Sequence, residues 1–335
     1  MNFLVINLRK YFFTILFFLF LVSLLVFSNT NFIAAQNGLV IWATKVLPSL
    51  FPFFVGAELL CSTNFTYILG KALKKIIKPI FNVPSESIIA IILGIISGYP
   101  VGAKVVCNLK KQKIISKIEA ERLIAFTNNS GPLFILGTVG IALFGNQKIG
   151  LILLFSHIIS SILVGYFFRF WKKDKIEVNF IENKFNSQNT PIKVADLGEI
   201  LGNSIKKSIS SILLIGGFIV LFSVILSILE NSGIFDEIAN IFSTFGIPKD
   251  ISISTITGII ELTNGVTLVS NLYSINPLVS ILIVSFLLGF GGFSVLLQVY
   301  SIIAKENISI KPYFYGKLLH GLFSVTITYI LFIVY

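Results

Sequence analysis

Thr127-Asn128-Asn129-Ser130-Gly131-Pro132 sets four consecutive hydrogen-bonding side chains, a glycine and a proline inside a run from Leu123 to Leu143 that is uncharged and, apart from Thr138, has no other polar side chain. In hydrocarbon an unpaired backbone N–H or C=O costs several kcal/mol, so irregular chain survives there only inside protein or beside a wet cavity. Polar side chains at that depth are equally expensive unless they meet ligand, water or one another. Pro132 ends one half-helix and suits the first turn of the next, so donors at the break point into the space between the halves. The alternative is a structural kink whose side chains re-satisfy the freed backbone.

The surrounding composition decides that this depth is membrane depth. Of 335 residues, 55% are apolar and only 12% charged, against roughly a quarter charged in ordinary soluble domains. Apolar runs at 11–27, 149–168, 209–229 and 313–335 approach or exceed the roughly 17–25 residues a spanning helix needs. The expected class is an all-α polytopic membrane protein.

Three more interruptions share the character of the first. Ser97-Gly98-Tyr99-Pro100-Val101-Gly102 precedes it. Glu261-Leu262-Thr263-Asn264-Gly265 and Gly289-Phe290-Gly291-Gly292-Phe293-Ser294 answer the two in the second half, at one nearly constant offset. Gly102 answers Gly265 and His157 answers His320 at that offset. Paired interruptions in two halves are the best sequence pointer to a transporter site at the bilayer midplane.

Charge orients the chain. The net charge is +11, and with Arg9 and Lys10 inside, all the basic residues but Lys45, Lys148 and Lys249 fall on the cytoplasmic side. That is the positive-inside bias, with the anionic inner leaflet as partner, and it leaves no role for nucleic acid. Cys61 and Cys107 both map near the cytoplasmic side, so no disulfide is expected.

The pass along the chain gives seven crossings and two re-entrant hairpins. Residues 1–38 hold an extra N-terminal transmembrane helix and an outer loop. A cleavable signal is the rival there, but the run is long for one and apolar sequence resumes at Leu39. Residues 39–171 form a first repeat: a crossing, a basic interfacial helix at 65–81, a hairpin at 86–108, a broken crossing and a further crossing. Residues 172–200 read as a cytoplasmic linker. Residues 201–335 repeat the order in inverted topology, with an acidic interfacial helix at 234–246, a hairpin at 251–273 and a broken crossing at 278–303.

Candidate substrate-binding residues follow from the four interruptions. In the first hairpin Gly98 and Gly102 permit close backbone approach, while Ser97 and Tyr99 add polar groups, so N–H donors there could hold a carboxylate. Tight hairpin packing explains the glycines equally well. In the first break they are Thr127, Asn128, Asn129 and Ser130. Thr263 and Asn264 flank Glu261, and intramembrane carboxylates usually mark a coupling-ion or proton site. Glu261 is therefore the ion-coupling candidate, for Na⁺ or H⁺. In the second break Gly291 and Gly292 give close approach, and Ser294 and Gln298 lie four apart on one helical face. Lys104 and Glu58 are weaker candidates, read as a surface lysine and a surface ion pair. His157 and His320 read as helix-bonding histidines before relay groups. No HExxH, phosphate loop or cysteine cluster occurs, and no catalytic pair can be assembled, so neither an enzyme nor a cofactor or metal is expected.

The motifs Leu47-Pro48-Ser49-Leu50-Phe51-Pro52-Phe53-Phe54, Ser97-Gly98-Tyr99-Pro100-Val101-Gly102-Ala103-Lys104, Glu119-Ala120-Glu121-Arg122-Leu123, Phe126–Phe134, Gly216-Gly217-Phe218-Ile219 and Leu319-His320-Gly321 resemble the YlbJ family of sporulation integral membrane proteins. The resemblance runs from about residue 40 to the end. It implies a gate domain with a nucleoside-transporter-like fold, a role in spore formation, and dipicolinic acid as the small anionic substrate, moved across the outer forespore membrane. The expected function is a secondary transporter. The rivals are a non-transporting scaffold for sporulation proteins and a nucleoside-type transporter. Monomer and homo-oligomer both stay open.

Overall fold

The computed structural model describes residues 2–63, 65–172 and 196–334, and regular structure there is entirely helical. The expected cytoplasmic linker lies mostly outside the described residues, as does the side chain of Cys61. Cys107 is a buried free thiol.

Five helices are long and apolar enough to cross a bilayer: Ser28–Leu60, Gln147–Phe168, Leu197–Asn231, Pro277–Glu306 and Lys311–Val334. Two shorter apolar helical stretches are Phe134–Leu143 and Tyr11–Val26, the latter the end of a 25-residue helix that begins at Asn2. The chain is a polytopic all-α membrane protein.

α1 (Asn2–Val26) is followed almost directly by α2 (Ser28–Ile41), which continues through a π-helical turn, Trp42–Val46, into α3 (Leu47–Cys61). Pro48 cannot donate to the Thr44 carbonyl four residues back, and the widened turn lies there, just upstream of α3. Residues 29–38, expected as an outer loop, are helical instead. Ala34, Ala35 and Gln36 are good helix formers, and no proline interrupts the stretch. Asn31, buried at the junction, donates its backbone N–H to Phe27 O at 2.9 Å and its Nδ2 to Ser23 O at 3.1 Å. The end of α1 is thereby satisfied without a loop.

From α3 onward one order of elements occurs twice. In the first half α3 is followed by α4 (Phe65–Phe81), hairpin arms α5 (Ile88–Ile96) and α6 (Val101–Lys111), the half-helix α7 (Lys117–Ile124), a π-helical half-helix Phe134–Leu143, and α8 (Gln147–Phe168). In the second, α9 (Leu197–Asn231) leads to α10 (Ile234–Ser243), arms α11 (Lys249–Ile260) and α12 (Leu262–Asn271), half-helices α13 (Pro277–Phe290) and α14 (Gly292–Ile303), and α15 (Lys311–Val334). Residues Lys75–Phe81 and Ser85–Ile96 meet at 88°, as where a helix lying on a membrane feeds one that enters it. Lys71, Lys75 and Lys78 are exposed on that surface helix, where their stems can lie along lipid and their charges in water.

The halves join where α15 packs on both α8 and α13, and α9 packs on α2 and α3. At one end, α7 is tied down by two buried charged side chains. Arg122 donates Nε to Trp171 O at 3.0 Å and Nη1 to Asn82 O at 2.8 Å. Glu121 Oε2 accepts from Trp171 Nε1 at 2.9 Å and from Lys172 Nζ at 2.8 Å. A capping box of Ser116 and Glu119 starts the same helix, so the half-helix enters the break at a defined angle.

Candidate functional site

Each hairpin tip seats on the broken crossing of its own half. In the first half the arms carry Gly94 and Gly102, where a Cβ would fall 1.6 and 2.0 Å from the Thr127 carbonyl oxygen. Only glycine permits such an approach. At the tip, Gly98 has φ +79°, and the next residue, Tyr99, donates its N–H to Asn129 O at 2.7 Å. In the second half the tip is the single extended residue Glu261, with φ −138°. The facing break is Gly291-Gly292, both at positive φ. A Cβ on Gly292 would lie 3.1 Å from Gly258 O and 3.3 Å from Leu262 N.

All four interruptions meet at one cavity of about 20 Å³. The first tip supplies Gly98 and Tyr99, and the first break Gly131. The second tip supplies Glu261 and Thr263, and the second break Ser294 and Gln298. Apolar side chains from α9 and the α2–α3 turn, among them Val46, Leu50, Ile215 and Phe218, complete the wall. This volume accommodates roughly one water.

Of the residues expected from the sequence, Gly98, Tyr99, Glu261, Thr263, Ser294 and Gln298 therefore line a common space. Ser97, Gly102, Thr127, Asn128, Asn129, Ser130, Asn264, Gly291 and Gly292 stand behind it. Asn128 Nδ2 donates to the Tyr313 hydroxyl at 3.1 Å. Asn129 Nδ2 turns back to Phe126 O at 2.9 Å. Ser130 gives its N–H to His157 Nε2 at 3.1 Å and its hydroxyl to Leu288 O at 3.3 Å, and Tyr99 is hydrogen-bonded to it. Asn264 bridges Ser223 Oγ at 3.1 Å and Glu261 Oε2 at 2.8 Å. Around this shell Ser97 Oγ, Thr127 Oγ1, Asn128 Oδ1, Asn129 Oδ1 and Gln298 Nε2 are buried without a protein partner. Orphaned polar atoms are rare in packed interiors and ask for a functional or solvent partner.

Glu261 has a structural task as well as a place in the wall. It caps α12: Oε1 accepts from Thr263 N at 3.1 Å and Oε2 from Asn264 N at 2.7 Å. A carboxylate at a helix N-terminus is stabilised by those donors and by the helix dipole.

Lys317 is the residue that sequence reasoning passed over. It lies on α15, only 2% exposed, and donates to Asn128 O at 3.1 Å. Its Nζ is 3.3 Å from His320 Nδ1. The available signal was a lysine within the apolar run 313–335, which looks like a lysine near a helix end reaching for the interface. The two matched histidines come together, rings 4.3 Å apart. Lys104 donates to Ser211 Oγ on α9, and Glu58 pairs with Lys207 at 3.2 Å near the surface.

The family described as nucleoside recognition, Gate, matches residues 43–168 and 212–306, the two stretches that hold both hairpins and both breaks. The chain is also 34% identical over 332 residues to the sporulation integral membrane protein YlbJ of Bacillus subtilis (strain 168), covering 94% of this chain and 81% of that one. No solved structure matches. With two hairpins seated on two broken crossings inside those matched stretches, this chain belongs to the Gate family and, within it, to the YlbJ family of sporulation integral membrane proteins.

Proposed function

We propose that the chain is a secondary transporter, moving a small carboxylated molecule across the outer forespore membrane during sporulation. The cargo is dipicolinic acid, by the resemblance to the YlbJ family. The observation that carries this reading is the shared cavity: four separate interruptions of apolar chain converge on one space, where Tyr99, Glu261, Thr263, Ser294 and Gln298 meet an otherwise apolar wall. A scaffold that used its breaks only for helix packing would have no reason to bring them together.

In this reading the cavity belongs to an occluded state. About 20 Å³ admits a water but no aromatic dicarboxylate, so the hairpins must withdraw from the breaks to load cargo. Each tip is held to its break by few polar bonds and by glycine contacts, the form in which one body rocks against another in alternating access. The driving force is an ion gradient, Na⁺ or H⁺ with Glu261 as the ion-coupling residue, or the gradient of the cargo itself. The donors open to a carboxylate are the unpartnered hydroxyls of Ser97 and Thr127 and Gln298 Nε2, together with the Ser294 hydroxyl at the cavity; the Asn128 and Asn129 amide oxygens can only accept.

The test is uptake of labelled dipicolinate by vesicles containing the purified protein. Uptake that is lost in Asn128→Ala and Glu261→Ala supports the reading. Normal uptake in both removes these residues from the mechanism. Flux of nucleosides in place of dipicolinate favours the second reading, a nucleoside-type transporter, which the description of the matched family supports. No flux of any small anion or nucleoside favours the scaffold.

A further inference from the structure

Lys317 is a buried amine with no counter-charge. Among the described residues it makes no salt bridge, and it is the only lysine there that is buried. An unpaired ammonium taken out of water costs several kcal/mol. The repeated scaffold does not demand it, because Leu154 stands at the matching place on α8, 163 residues earlier by the offset that relates His157 to His320.

The hydrogen bonds around it show which form the pocket suits. His320 Nε2 lies 2.9 Å from the His157 carbonyl. A carbonyl only accepts, so Nε2 carries the proton and Nδ1 of the neutral ring is an acceptor. Lys317 Nζ thus faces two acceptors, His320 Nδ1 and Asn128 O, and has no third partner among the described residues. Two N–H groups and a free lone pair describe a neutral amine; an ammonium would bring a third N–H and a charge. His157 is likewise neutral as placed: its Nε2 accepts from Ser130 N, leaving the proton on Nδ1, which has no partner.

No carboxylate faces Nζ from the packed elements. His157 comes from α8, and Tyr313 one turn back on α15 meets Asn128. α13 has no titratable side chain. On α7, Glu121 and Arg122 are turned to Lys172, Trp171 and Asn82. Tyr99 and Glu261 lie across the break at the cavity. Lys317 also touches both breaks, bonded to Asn128 in the first and with Cε 3.6 Å from where a Cβ on Gly291 would stand in the second.

We propose that Lys317 is the proton-coupling site of this protein: it rests as a neutral amine, takes one proton from the aqueous buffer on its Nζ lone pair as an organic anion enters between the breaks, and the ammonium so formed balances one negative charge of that anion. One N–H bond is made and one bond from that proton to a buffer acid in bulk water is broken, the conjugate base staying in bulk water, so anion and proton enter together. The inference rests on the transporter reading; within it the proton is assigned to Lys317, and Glu261 keeps its cap on α12 and, where the coupling ion is Na⁺, the ion-coupling place.

The test uses full-length protein in nanodiscs with ¹⁵N-labelled lysine side chains. The Lys317 signal is assigned by its loss in Lys317→Met, or in Lys317→Gln should the first variant fail to assemble. The expected result at neutral pH is an amine signal without anion and an ammonium signal with saturating dipicolinate. Calorimetry in buffers of different ionisation enthalpy should give about one proton taken up per dipicolinate bound, abolished in Lys317→Met. An ammonium signal in the absence of anion overturns the proposal while leaving dipicolinate binding intact. An unchanged amine with dipicolinate measurably bound overturns it too. Failure of dipicolinate to bind at all overturns the carboxylate reading of the site, and proton coupling through Lys317 falls with it.

Discussion

His320 reaches across 2.9 Å to the main-chain carbonyl of His157, the residue that occupies the same place 163 positions earlier. Residues matched between two similar halves touch each other only where the relation between the halves passes through them. The contact marks the seam along which α8 and α15 join. The breaks, the tips and Lys317 are gathered around it.

The seating of the first hairpin depends on Gly102. Gly102→Ala places a Cβ 2.0 Å from a backbone oxygen, which has no side-chain freedom to yield. Overpacking of this kind costs roughly 1–3 kcal/mol, so the thermal midpoint of the purified protein should fall and uptake should fall with it. Gly217→Ala, where nothing lies within 4 Å of the added carbon, should leave the midpoint unchanged or raise it.

Glu261→Gln keeps the shape of the cap but removes its charge, and because its NH₂ cannot accept, only one of the two N–H bonds from Thr263 and Asn264 survives. A loss of about 1 kcal/mol is expected from the cap alone, read as a modest drop in midpoint. Uptake should fall much further than that drop explains, because the same side chain lines the cavity. A loss of uptake no larger than the loss of folded protein would make Glu261 a cap and nothing more.

Gln298 gives the cleanest separation of binding from folding. Its Nε2 is buried and unpartnered, so Gln298→Ala removes no protein hydrogen bond of that amide nitrogen, and stability should move by less than about 1 kcal/mol. Dipicolinate affinity should weaken roughly tenfold, the equivalent of one lost hydrogen bond of about 1.4 kcal/mol. Unchanged affinity by calorimetry would remove Gln298 from the site.

Arg122 is expected to behave in the opposite way. Its two hydrogen bonds hold α7 to the chain after α4 and after α8, away from the cavity. Arg122→Met should lower stability by about 2–3 kcal/mol, the scale of buried charge-assisted bonds. Protein that remains folded at low temperature should bind dipicolinate with the affinity of the parent.

Much of the architecture was legible because membrane insertion is read from local properties. The lengths of apolar runs, the prolines and glycines that break them and the one-sided distribution of lysine are all visible in short windows, and they predicted both hairpins and both broken crossings. The outer loop at 29–38 was misjudged for the same reason. Its polar side chains resemble a loop, whereas the bond from Asn31 to Ser23 that lets the helix restart at once joins residues on two different helices. Thr127 to Ser130 were recognised as costly, but their division of labour was not, since Asn128 is answered by Tyr313 and Ser130 by His157.

What the sequence by itself determined is the class of protein, the doubled order of elements and the four places where backbone leaves the helix, since each follows from what neighbouring residues cost in oil. Only the tertiary structure decided that the four places share one cavity, that Asn264 ties the second tip to Ser223, and that Lys317 sits without a counter-charge between the breaks. Those are relations between residues far apart in the chain, set by how helices pack, and no local cost encodes them.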